Sequence, residues 1–152
     1  MTGDHRSRAM RTATSPISIE PAELASMLAT LCSYENGFGP YHPQTLCLMV
    51  QVASAYCQAG EPDRARPLLE RVVRDLGRFL DRDHALRVRA LATLRDLLVA
   101  QCDYAAAASV QAELLECQVR RLGSGHPETV AARAELASIL LERIGCDPNR
   151  EI

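Results

Sequence analysis

Histidine stands at positions 42, 84 and 126, two gaps of 42 residues, and each copy sits in the same short phrase between two helical patterns. The phrases read Phe38-Gly39-Pro40-Tyr41-His42-Pro43, Leu80-Asp81-Arg82-Asp83-His84-Ala85 and Leu122-Gly123-Ser124-Gly125-His126-Pro127. A fixed period of this size marks supersecondary units that cannot bury their apolar faces alone and stack to do so. Such arrays generally build extended binding surfaces rather than catalytic pockets.

Apolar spacing supports the repeat between the histidines. Pro21, Leu24, Leu28 and Leu31 predict a first helix over about residues 20–35, with Asn36-Gly37 as its stop. Pro43 opens a second helix ending before Gly60, and Glu61-Pro62-Asp63 opens a third with the stripe Ala65, Leu68, Leu69, Val72, Val73 and Leu76. Two more follow over about 84–101 and 104–121, and a sixth over 127–144 with no second helix to complete its pair. Adding 42 carries Leu46 onto Val88, Val52 onto Leu94, Tyr56 onto Leu98, Ala65 onto Ala107, Leu68 onto Val110 and Val72 onto Leu114. Volume class is kept at every one, as recurring packed contacts require. The expectation is an all-α, right-handed α-α superhelix of about six antiparallel helices over residues 19–145. Residues 1–18, carrying Arg6, Arg8 and Arg11 among Ser and Thr, read as a disordered tail, with an Arg-rich targeting leader as the weaker alternative. Residues 146–152 read as a short C-terminal tail.

Composition narrows the chemistry. All 17 basic residues are Arg, because the sequence contains no Lys, so P-loop, Schiff-base and Ser-Lys mechanisms have no nucleophile or phosphate ligand here. A formal charge of −2 does not supply the clustered positive field that nucleic acid needs. Six cysteines without a CxxC spacing read as reduced thiols packed as small hydrophobes. No run approaches the ~20 apolar residues of a membrane span. Histidines one whole repeat apart cannot converge on one metal ion, so each is expected to hydrogen-bond backbone near a helix start. No catalytic, metal or cofactor site is expected, and the chain is not expected to be an enzyme.

The phrase Pro40-Tyr41-His42-Pro43-Gln44-Thr45, followed by Gly60-Glu61-Pro62-Asp63-Arg64-Ala65-Arg66-Pro67-Leu68-Leu69 and later by His126-Pro127-Glu128-Thr129, resembles the 42-residue tetratricopeptide repeat of the kinesin-light-chain type. Ala85 and Cys102-Asp103-Tyr104 depart from that pattern where Pro and Gly are usual, which makes the second copy the most degenerate. The resemblance implies a non-catalytic interaction scaffold, cytoplasmic, whose concave face is lined by the first helix of each repeat. By register that face comprises Cys47, Val50, Gln51, Ser54 and Gln58, then Arg89, Ala92, Thr93 and Asp96, then Ala131, Ala134, Glu135, Ser138 and Glu142. Asp96, Glu135 and Glu142 against Arg89 leave it mildly acidic and suggest a neutral to basic peptide or helix as partner. Two alternatives stand beside this. Leu136, Ile139, Leu140, Leu141 and Ile144 wrap more than one face of the last helix and would support a homodimer. The chain could also be a regulatory fragment of a larger signalling protein.

Overall fold

The computed structural model describes residues 19–146. They form six helices: α1 (Pro21–Phe38), α2 (Pro43–Gln58), α3 (Pro62–Phe79), α4 (Ala85–Ala100), α5 (Tyr104–Leu122) and α6 (Pro127–Gly145). The two expected tails, 1–18 and 147–152, lie outside the described residues. Each helix packs on the one before and the one after, and α2 also meets α4, the neighbour pattern of a helical superhelix.

The periodic histidines start the helices. His42, His84 and His126 occupy the N-cap positions of α2, α4 and α6, in extended backbone with ψ of 137°, 135° and 141°. Each Nδ1 accepts from the backbone N–H two residues on, Gln44 at 3.3 Å, Leu86 at 3.2 Å and Glu128 at 3.2 Å. An orphan donor of the first helical turn is thereby satisfied, and the ring proton is placed on Nε2. Pro43 and Pro127 follow directly, where a missing N–H costs nothing.

Glycine stops two helices two periods apart. Gly39 (φ 93°, ψ 162°) ends α1 and Gly123 (φ 88°, ψ 163°) ends α5, a conformation open to little besides glycine. Helix α1 thus runs through Asn36-Gly37, where the sequence suggested a stop. Both residues are helical, and Tyr34 stacks on Phe38 one turn later with ring centroids 5.4 Å apart.

Leu46, Met49, Val50 and Ala53 of α2 interlock with Ala65, Leu69, Val72 and Leu76 of α3, none more than 1% exposed. Burying each large side chain contributes about 1.5–3 kcal/mol. Helix α1 covers one end of the stack with Leu24, Met27 and Leu31 and turns Glu23, Ser26, Thr30 and Ser33 to solvent.

The second repeat departs from the first at buried positions. Thr45 and Thr129 are fully buried and donate to the carbonyls of Tyr34 (3.5 Å) and Gly123 (2.8 Å). Between them in register stands Arg87, which pairs with Glu113 of α5 and donates to the Arg82 carbonyl at 3.2 Å. Gln111 replaces Leu69, and Arg95 replaces Ala53.

Candidate interaction face

A stripe along one helix side needs residues three or four apart, and α2, α4 and α6 each supply one in the same register. The stripes are Cys47, Gln51, Ser54 and Gln58; Arg89, Thr93, Asp96 and Ala100; and Ala131, Glu135, Ser138 and Glu142. All are exposed or half-buried. Short side chains dominate, so the surface is recessed and a partner backbone can approach closely.

Three hollows lie along these stripes. The largest, about 600 Å³, opens between α2 and α4 and brings Ser54, Gln58, Thr93 and Asp96 together with Cys57 and Ala100. A second of about 250 Å³ between α4 and α6 gathers Asp96, Glu135 and Ser138 beside Arg95 and Ile139. Cys47 and Gln51 line a third of about 340 Å³ on the α1 side, with Tyr34 and Gln44. Arg89, Ala131 and Glu142 reach none of these three hollows. A further hollow of about 470 Å³ lies away from the stripes, between the start of α1 and the α2–α3 turn, lined by Leu24, Tyr56 and Arg64 among others.

Several residues assigned from sequence do not belong to the surface as expected. Val50 is 1% exposed and sits in the α2–α3 core, so it offers nothing to a partner. Ala92, one period on, is half-buried against the core beside α5. Ala134, the third member of that register, is exposed, as the sequence suggested. The physical reason is angular: positions 50, 92 and 134 are turned about 40° from the neighbouring position 54, 96 or 138 toward the hairpin partner. On α6, Ile139 is buried and Leu136 half-buried, leaving Leu140, Leu141 and Ile144 as its exposed large apolar residues from the self-association set.

Arg95 changes the electrostatics of the face, and sequence reasoning passed over it. Its Nε and Nη2 donate to Asp96 Oδ1 at 2.9 and 2.6 Å, while Nη1 donates to Glu135 Oε2 at 2.8 Å and Gln111 Oε1 at 3.0 Å. Gln111 in turn donates to the Ala132 carbonyl at 2.9 Å, tying α4, α5 and α6 through one buried amide. Two of the three carboxylates counted as acidic groove charge are thus already paired. The signal was present in the sequence, since a long cation stands where the register has Ala53 and Ala137. Cys57 feels the same charge: burial, and secondarily Asp96, push its thiol above the ordinary value.

The histidines are committed to their helix starts through Nδ1 and line none of the hollows. Among the described residues no helix is long and apolar enough to cross a membrane.

Comparison with known proteins agrees with this geometry. A tetratricopeptide-repeat family model matches residues 48–86. No curated protein matches the sequence. Two crystal structures of nearly identical tetratricopeptide-like repeats from a kinesin-light-chain-like protein of Podosopora anserina superpose with a TM-score of 0.72 at 23% identity. They cover 80% of this chain, which spans only 58% and 57% of theirs. The matched repeat over residues 48–86, the superposable structures and the recurrence of caps and core positions every 42 residues give this chain a tetratricopeptide-like repeat fold.

Proposed function

We propose that the chain is a non-catalytic scaffold that holds a peptide or helix of a protein partner on the face formed by α2, α4 and α6. Tetratricopeptide repeats generally mediate protein–protein interaction, and the observation that carries the reading here is the 600 Å³ hollow between α2 and α4. Its walls combine apolar Leu97 and Ala100 with the polar groups of Ser54, Gln58 and Thr93, the mixture by which an apolar side chain is seated and its backbone oriented. With Asp96 and Glu135 bound to Arg95, the partner segment is neutral to mildly basic rather than strongly cationic. Cytoplasmic placement belongs to the same reading and is supported by six unpaired cysteines, which suit a reducing compartment.

The test is affinity purification from the native cell with wild type and Thr93→Arg, a change that fills the hollow from a half-buried position. Specific partners lost by the variant at unchanged helicity support the face; an identical partner set in both sinks it.

A further inference from the structure

A surface separate from that face carries a second inference. At about 100° per residue, α6 divides into three sides. Thr129, Ala132 and Ile139 are buried, and Ala131, Glu135, Ser138 and Glu142 continue the concave stripe. On the third side Val130, Ala137 and Ile144 fall seven residues apart in one row, flanked by Arg133, Leu140 and Leu141, and all six are exposed.

The register says what this side is built to touch. Val130, Arg133, Ala137 and Leu140 stand two periods after Leu46, Met49, Ala53 and Tyr56, which are 0%, 1%, 0% and 7% exposed in the core that α2 shares with α3. On α6 the same row is open, with Val130 52% and Leu140 39% exposed. The interface that α2 makes with its hairpin partner is therefore repeated on α6 with no helix over it among the described residues.

One position is altered. Where α2 and α4 bury Met49 and Leu91, α6 carries Arg133, so a wholly apolar helix docked here would strand a desolvated guanidinium. A carboxylate on the incoming helix removes that penalty and makes a charge-assisted pair. Two copies paired through α6 do not meet the requirement, because the acids of α6, Glu128, Glu135 and Glu142, lie on the opposite side of the helix.

We propose that the open side of α6 docks an amphipathic helix from a partner, packed as α3 packs on α2 and bearing an acidic residue opposite Arg133. In the α2–α3 hairpin the level of Met49 is met by α3 about two turns after Pro62, where buried Leu69 stands. The probe follows: a fluorescent peptide of residues 62–79 with Leu69→Glu, titrated against the full chain by anisotropy beside the unmodified peptide.

The acidic peptide is expected to bind about tenfold tighter than the unmodified one. Arg133→Glu in the chain reverses that preference, and Ala137→Glu abolishes binding of both at unchanged helicity, with Leu141→Glu as a second blocking variant. Thr93→Arg leaves binding intact, which separates this surface from the α2–α4 hollow. No binding by either peptide, a preference indifferent to Arg133→Glu, or a dimer in sedimentation that Ala137→Glu dissolves would each overturn the proposal.

Discussion

Cys102 holds a left-handed backbone, φ 58°, one period after Gly60, whose φ is 76°. Both residues make the turn between the two helices of a repeat, at the same step of the chain. Glycine takes this conformation freely, whereas a side chain crowds the carbonyl and costs about 1 kcal/mol. Cys102 is exposed, so removing its side chain gives up little packing. Cys102→Gly is expected to raise stability by about 0.5–1 kcal/mol in urea denaturation. Gly60→Ala should lower it by about 1 kcal/mol, although nothing lies within 4 Å of the added methyl group. Equal effects of opposite sign would locate the strain in the backbone; a destabilised Cys102→Gly would show that the thiol matters more than the turn.

The three histidine caps invite a second measurement. His84→Ala removes the only side-chain acceptor at the start of α4 and is expected to cost about 1 kcal/mol, while His84→Asp, a shorter acceptor suited to the helix dipole, should hold or improve stability. The caps lie a full repeat apart and share no hydrogen-bond partner, so the losses should add, to about 3 kcal/mol for a triple alanine variant. Thermal melts by circular dichroism read this directly. An indifferent His84→Ala would mean that the capping bond contributes nothing beyond water.

Helix number, order and packing could be read from the sequence because one period governs caps, stops and core together. A helix start at His84 has counterparts 42 residues away on either side, at His42 and His126. The first helix lacked a preceding copy for comparison, and its end was misplaced at Asn36-Gly37 rather than Gly39. Exposure along α2, α4 and α6 was legible where it follows from register alone, as at Ser54, Thr93 and Ser138. It failed at Val50 because a rotation of only about 40° separates the exposed stripe from the core, and an apolar side chain suits both. Arg95 was missed for a different reason: a salt-bridge network depends on side chains from α4, α5 and α6 converging, and spacing along one helix says nothing about that.

Arg87 replaces the buried threonine of the neighbouring repeats, and its cost is visible in the structure. Arg87 is 7% exposed, its guanidinium pairs with half-exposed Glu113, and its Nε has no hydrogen-bond partner. Deleting the carboxylate leaves a buried cation, so Glu113→Ala is expected to lose about 2–3 kcal/mol. Arg87→Met keeps most of the volume, removes the desolvated charge and leaves Glu113 to water, and should fall within about 1 kcal/mol of wild type. Chemical denaturation of the two variants decides it. If Arg87→Met proves the more damaging, the arginine stabilises through its bond to the Arg82 carbonyl rather than through the ion pair.

Cys57 reports on the hollow that it lines with Ser54 and Thr93. Burial is the larger cause of its raised pKa, and Asp96 adds repulsion between carboxylate and thiolate. A raised pKa means less thiolate at neutral pH, so alkylation of Cys57, followed peptide by peptide in the mass spectrometer, should climb with pH to a midpoint above that of an ordinary thiol. Asp96→Asn removes the repulsion and should move the midpoint down, yet only part of the way, because burial remains. A midpoint unmoved by Asp96→Asn would show that the carboxylate is fully neutralised by Arg95 and that the hollow carries no negative field. The same thiol also reads occupancy: a peptide seated between α2 and α4 covers Cys57 and should slow its alkylation in proportion to the fraction bound, whereas a helix docked on α6 should leave the rate unchanged.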